Sequence, residues 1–142
     1  MKAGDDHGSA LVEFIAFGVA LMIPVAYLGL CVGHLHAAAY ATSLAARESA
    51  RSFATSPAVP QARSAALASA QLAFIDHGVD YPEGALTVTC EGTCLAPGSA
   101  VVTEVSWQVP LPWLSEIVVP VTARHVEPVD DYRSGTASWA HA

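Results

Sequence analysis

The sequence predicts an α+β protein with a long N-terminal transmembrane helix that continues outside the membrane, a second helix and a small three-stranded antiparallel sheet. Two patterns lead to this fold class. No aspartate, glutamate, lysine or arginine occurs from Phe14 to Ala46. After Gly78, the spacing of apolar residues changes from the helical period of about 3.6 to the strand period of 2. At 142 residues, the chain suffices for one small domain and one appended element.

The N-terminal apolar run is long enough to cross a membrane. Residues Phe14–Val32 are almost wholly apolar, and a helix of that length spans roughly the 30 Å hydrocarbon core of a bilayer. A buried core helix of this length would need a larger domain around it than this chain can supply. We therefore expect a single span, kinked at Pro24 because proline removes one backbone donor.

The helical prediction extends beyond the span. An alanine-rich stretch follows the apolar run, and alanine has the highest helix propensity, so the same helix should continue to about Ala54. Ser56 is a candidate N-cap of a second helix over 58–77, with Pro57 at its first position. Gly78 fits the C-terminal cap of that helix.

Three segments near the C-terminus alternate apolar and polar residues with the period of a half-buried strand. The simplest arrangement is an antiparallel meander with one face on the helices. Pro120 places the third segment at a sheet edge, because proline cannot donate to a strand on that side. The inward-facing candidates are Leu86, Val88 and Cys90 in the first segment, Val101, Val105, Trp107 and Val109 in the second, and Val119, Val121 and Ala123 in the third.

Composition excludes several classes of function. The formal net charge is −7, Lys2 is the only lysine, and the arginines are scattered. Nucleic-acid binding requires clustered cations that neutralise phosphates, so no nucleic-acid partner is expected. The same charge would repel anionic lipid surfaces. The chain contains no asparagine, which excludes N-glycosylation and lysine–asparagine crosslinks.

Two cysteines, Cys90 and Cys94, enclose three residues. This spacing is one residue longer than the redox C-x-x-C motif, and no further zinc ligands stand nearby. In an oxidising compartment the pair predicts a structural disulfide, contributing roughly 2 kcal/mol to stability. A thiol–disulfide enzyme that uses these two residues is the alternative. Cys31 lies within the span, where a small apolar filler is expected.

No catalytic arrangement is apparent. The sequence lacks the nucleophile-elbow, zinc-protease and phosphate-loop motifs. His34 and His36 are two positions apart on a helix, so they point about 200° away from each other and cannot chelate one metal from one face. We expect a protein without enzymatic activity, metal or other cofactor.

The head of the apolar run carries the most informative motif, Gly8-Ser9-Ala10-Leu11-Val12-Glu13-Phe14. A short polar leader precedes it, and the apolar run is too long for a conventional cleaved signal peptide. Taken alone, Glu13 is an acid near a helix start, where the helix dipole favours it. If the chain is cut between Gly8 and Ser9, Glu13 becomes the fifth residue of the mature protein.

This pattern resembles the type IV pilin and pseudopilin signal. Within that group, Gly-Ser-Ala-Leu-Val-Glu-Phe resembles TadE-like minor pseudopilins of tight-adherence pilus systems, actinobacterial branch. The resemblance implies a pilin-like fold and cleavage after Gly8 by a prepilin peptidase. It implies that Glu13, followed by Phe14, acts in subunit assembly by pairing with the α-amine of a neighbouring subunit. The implied partners are the peptidase, other pilins or pseudopilins, the assembly platform and membrane lipid.

These expectations divide the chain into four parts. They are a leader over 1–8, a transmembrane and extended helix over 9–54, an extracytoplasmic α+β domain over 55–128 and a flexible tail over 129–142. The basic residue nearest the span lies on its N-terminal side, which favours an N-terminus inside the cell and a single-pass location in the cell membrane or the pilus. The competing hypothesis is a permanent single-span protein whose external domain scaffolds or binds envelope partners.

Overall fold

A computed structural model describes residues 7–132, and the predicted α+β architecture is present in them. The helices are α1 (His7–Thr55) and α2 (Val59–Asp76), and the strands are β1 (Leu86–Glu91), β2 (Ala100–Leu111) and β3 (Leu114–Pro128). The strands form one antiparallel sheet in the order β1-β2-β3. The predicted meander is confirmed, and its third strand lies at an edge.

Helix α1 is a single element of 49 residues that continues unbroken through Pro24. It ends at Thr55, one residue beyond the predicted end. The expectation that Ser56 caps α2 is wrong, because α2 begins three residues later, at Val59. The Ser56 hydroxyl donates to the carbonyl of Ser52 at 2.6 Å. The residue that precedes α2 is Ala58, which is extended and forms no side-chain capping bond.

The C-terminal end of α2 has the predicted glycine cap. Gly78 has a φ of +66°, in the left-handed region that favours glycine. Its N–H donates to the carbonyl of Ile75 at 2.9 Å, and the N–H of Val79 donates to Phe74 at 3.0 Å. This pair of bonds defines a Schellman motif, which satisfies carbonyls at the helix end and turns the chain toward the sheet.

The two helices pack through small residues. The end of α1 contacts the start of α2, and the middle of α1 contacts the end of α2, so the second helix runs back along the first. Because alanine side chains are short, the two helix backbones approach closely. Two aromatic residues, Phe53 and Phe74, are buried in the same clusters as these alanines. The buried alanines are Ala38, Ala41, Ala45, Ala46, Ala50 and Ala54 on α1 and Ala62, Ala66, Ala70 and Ala73 on α2.

Aromatic packing closes the middle of the core. Phe74 contacts the rings of Tyr81 and Trp107 edge-on, with centroids 5.4 and 5.6 Å away. Burial raises the pKa of the Tyr81 phenol, and a backbone hydrogen bond at Leu86 opposes that shift. The phenol therefore stays neutral over the physiological range and packs as an apolar ring with one polar atom.

The sheet is attached to α1 by hydrogen bonds as well as by apolar contacts. The hydroxyl of Thr103 donates to the carbonyl of Ala46 at 2.6 Å, and the indole N–H of Trp107 donates to the hydroxyl of Thr42 at 2.9 Å. Both donors belong to β2, and both acceptors lie on the buried face of α1. These bonds fix the height of β2 along the helix.

Strands β2 and β3 extend well beyond β1. Strand β1 pairs with β2 only from Ala100 to Val105, whereas β3 follows β2 to its end. The remainder of the β2–β3 hairpin is a two-stranded ribbon that lies along α1. Alternation alone predicts β3 only from about Val119, because Ser115 and Glu116 interrupt its apolar pattern; pairing with β2 starts the strand at Leu114.

The domain also includes the start of the predicted tail. Val129 is 2% exposed, and its N–H donates to the carbonyl of Ser99 at 2.8 Å. It packs in the cluster around Phe53, so it belongs to the core rather than to a flexible end. Residues 133–142 of the predicted tail lie outside the described part of the chain.

Candidate functional site: the exposed apolar half of helix α1

Helix α1 has two halves with opposite surroundings. Every side chain from Ala10 to Ala26 is exposed, whereas a buried face begins at Cys31 and continues to Ala54. The exposed half is the most apolar part of the protein, with a mean hydropathy of 2.3 over its most apolar window. The helix is therefore long and apolar enough to cross a membrane.

The predicted site residues lie together at the head of this half. The peptide bond between Gly8 and Ser9 lies in the first turn of α1, and Glu13 and Phe14 follow within two turns. The Glu13 side chain is exposed, and Phe14 is 75% exposed. From Ala10 to Tyr132, no described side chain forms a hydrogen bond or ion pair with Glu13.

An acid in this position needs an external partner when the helix is in a membrane. A carboxylate costs about 2.5–3.5 kcal/mol at the centre of a bilayer and less near the interface. Pairing with a cation removes much of that cost, because each charge replaces part of the water lost by the other. Glu13 lies one residue before an uncharged run that reaches Ala46, so within the described residues its own helix offers no nearby cation.

Three glycines mark places where another helix could approach α1: Gly18 in the exposed half, and Gly29 and Gly33 in the turns that follow it. Around Gly18, Gly29 and Gly33, no atom of the described residues lies within 4 Å of where a Cβ would stand, apart from the adjacent residues and the local helix backbone. Because glycine has no side chain, the helix surface is flat at these positions, which permits close helix contact in a membrane. The domain leaves both Gly29 and Gly33 uncovered.

The polar residues buried under the domain are not part of this site. Thr42 and Ser49 direct their hydroxyls to carbonyls one turn earlier in α1, and Ser49 also contacts the carbonyl of Ala66 at 3.1 Å. Small polar residues at helical spacing are a weak signal in a sequence, so the sequence analysis did not predict the contacts of Thr42 and Ser49. They position the domain on α1 and leave its first half bare.

The disulfide is present but remote from the head of α1. Cys90 and Cys94 are bonded, with a Cα–Cα distance of 5.3 Å, and both pack against the core cluster near the end of the helix. Gly92, between them, has a φ of +89°, which the tight ring requires. The structure therefore separates the disulfide from Glu13 by most of the length of α1.

The described residues contain no group of three or more histidine, cysteine, aspartate or glutamate side chains that could hold a metal ion. An open cleft of about 310 Å³ lies between α1 and the end of α2. Its lining includes Tyr40, Arg47 and His77, and the rings of Tyr40 and His77 stack with centroids 6.5 Å apart. This cleft is shallow and carries one permanent positive charge.

No protein-family model matches the chain, and neither a curated protein nor a solved structure matches it. The fold itself defines the class: a small α+β domain carried on a helix that is long and apolar enough to cross a membrane.

Proposed function

We propose that this protein is a non-catalytic, membrane-anchored, pseudopilin-like subunit that acts in the assembly of a tight-adherence type IV pilus after processing by a prepilin peptidase. One observation carries the proposal. A single continuous helix is bare and apolar over its first half and embedded in a small domain over its second half. Such a subunit can hold its domain outside the membrane while its first half contacts lipid or other helices.

The bare half suits exchange between lipid and neighbouring subunits. Lipid tails and apolar side chains are similar environments, so helix association in a membrane depends on close packing and polar contacts rather than on the hydrophobic effect. The uncovered Gly18, Gly29 and Gly33 allow close packing. Other pilins and the assembly platform are the proposed partners at this surface.

Glu13 supplies the polar contact. Cleavage after Gly8 would create an α-amine at Ser9, and an α-amine titrates near 7.7–8.0, so most of it is cationic at neutral pH. The amine of one subunit and the Glu13 carboxylate of the next would stabilise each other in a low-dielectric setting. The exposed Glu13, without a described partner in its own chain, is available for this pairing.

Mapping the mature N-terminus tests the processing step. We expect mass spectrometry of the membrane-extracted protein, from cells that contain the prepilin peptidase, to find Ser9 as the first residue. Gly8→Leu should retain the full leader, because a bulky side chain replaces the glycine at the cleavage site. Gly4→Leu makes the same change inside the leader and should be processed normally.

An intact leader in assembling cells that express the unaltered protein would contradict the proposal. It would favour the competing hypothesis of a permanent single-span protein.

A further inference from the structure

The end of the β2–β3 hairpin is an exposed apolar projection. Residues 110–118, here called the hairpin tip, turn through Pro112 and Trp113. Trp113 has a φ of +61° and is 80% exposed. Positive φ is uncommon for a bulky residue, so the turn holds a large aromatic ring outward where glycine would be the easier choice.

The hairpin tip lies against the apolar run of α1. The Tyr27 hydroxyl donates to the carbonyl of Pro112 at 3.0 Å, and the rings of Tyr27 and Trp113 stack with centroids 5.8 Å apart. Tyr27 belongs to the uncharged run Phe14–Val32. The tip therefore reaches the same height along α1 as residues whose composition fits a bilayer.

The geometry of α1 gives the depth of the tip. From Phe14 to Val32 the helix rises about 27 Å, close to the thickness of a hydrocarbon core. Tyr27 is five residues before Val32, so the tip would lie about 8 Å inside the outer boundary of that core. If the core instead covers Ala10–Tyr27, about 26 Å, the tip lies at its boundary.

The side chains of the tip match that depth. Trp113, Leu114, Ile117 and Val118 are between 43% and 80% exposed. The only charged residue in the tip is Glu116. It lies in an irregular stretch of β3, between Leu114, which pairs with Leu111, and Val118, which pairs with Pro110. An apolar tip with a single acid fits the zone between acyl chains and headgroups.

We propose that the hairpin tip is a second membrane-contact site, which inserts Trp113 and Leu114 into the outer-leaflet interface beside α1. This inference rests on the proposed membrane anchoring of α1. Tryptophan is enriched at this level of membranes because its ring is apolar and its N–H is polar. With a net charge of −7, the protein is better suited to zwitterionic headgroups than to anionic ones.

Lipid is the occupant that the position itself indicates. At the height of the tip, the other sides of α1 also remain apolar and exposed, at Leu28, Leu30 and Val32. One apolar band thus encircles the helix and the tip together. Pairing of β2 with β3 satisfies much of the ribbon's backbone, which lowers the cost of contact with the interface.

Quenching by brominated lipids tests the proposal on the full chain in phosphatidylcholine vesicles. Trp139→Phe leaves two tryptophans, Trp107 and Trp113. Trp107 contacts Thr42, about 15 Å above Val32 along the helix, and serves as an internal reference. We expect phosphatidylcholine brominated near the headgroup end of its acyl chains to quench this protein. Adding Trp113→Phe should reduce that quenching severalfold.

The outcomes separate the tip from the anchor. Flotation with the vesicles after alkaline extraction reports insertion of α1. Protein that floats but whose Trp113 is unaffected by brominated lipid would overturn the tip proposal alone, and concentration-dependent crosslinks at the tip would then indicate a second chain there. Protein that does not float would overturn both the membrane anchoring and the tip proposal. An unchanged Trp107 emission maximum shows that Trp113→Phe leaves the domain folded.

Discussion

At the scale of single residues, Glu13 is the side chain whose surroundings matter most. It is exposed on a helix that is otherwise uncharged from Phe14 to Ala46. In water such a residue would be unremarkable. In a membrane, or among packed helices, it requires a cation, because an unpaired charge in a low-dielectric medium is costly.

Replacing this acid should affect assembly rather than folding. We expect Glu13→Gln to lower the amount of the protein recovered in crosslinked complexes with other pilins by at least about tenfold, because the α-amine of the neighbour would lose its counter-charge. Glu48→Gln makes the same change on the same helix, beside the domain, and should assemble normally. The measurement is quantitative immunoblotting after crosslinking in cells.

Equal recovery of both variants would contradict the pairing. It would leave Glu13 as an acid that the helix dipole tolerates, which is the simpler interpretation of its place near a helix start.

At the scale of elements, α1 changes character along its length without any break. The difference arises from side-chain size, because the second half places alanine at the positions that face α2 and the sheet. Ala45 and Ala41 are fully buried, whereas Ala39 on the opposite side is exposed. The same residue type is therefore a close-packing contact on one face and a solvated surface on the other.

Enlarging a buried alanine should separate these two roles. We expect Ala45→Leu to lower the free energy of unfolding of the domain by about 1–3 kcal/mol, because the added carbons have no space between α1 and α2. Ala39→Leu adds the same atoms to the exposed face and should have little effect. Denaturant unfolding of the full chain in detergent micelles, followed by tryptophan emission, gives both values.

Similar stabilities for the two variants would show that the helix interface relaxes easily. The close approach of α1 and α2 would then not depend on the alanine stripe.

At the scale of the whole molecule, the domain and the bare helix are arranged along one axis. The hairpin tip, which contacts Tyr27, is the part of the domain nearest the N-terminal end of α1, and the disulfide lies near the C-terminal end of that helix. If α1 crosses the membrane with its N-terminus inside, the part of the domain beyond the hairpin tip lies on the outer side. Lys2, on the N-terminal flank, and the absence of basic residues before Arg47 favour this orientation.

Protease accessibility tests the orientation. We expect protease added to intact spheroplasts to degrade the domain and to leave a protected fragment that contains the head of α1. A cytoplasmic marker protein should survive the same treatment. Protection of the domain until the membrane is lysed would reverse the orientation and exclude an extracytoplasmic domain.

The sequence by itself determined the order and type of the elements. The length of the uncharged run identified the apolar helix, and the alanine content of the following residues extended that helix. The alternation of apolar and polar residues identified three strands. Local rules failed at the start of α2, where the N-cap position is Ala58 rather than Ser56, and the Ser56 hydroxyl donates to the carbonyl of Ser52 in α1. They also stopped short at β3, because strand pairing with β2 extends the element through Ser115 and Glu116, where its own pattern is broken.

Only the tertiary structure decided which part of α1 is covered and where the hairpin ends. A run of apolar and small residues does not specify its own neighbours, because many contacts of similar energy are available to it. The hydrogen bonds of Thr103 and Trp107 to α1 are directional, so they set the height of the ribbon. That height brings the tip to Tyr27 and leaves the helix bare from Ala10 to Ala26.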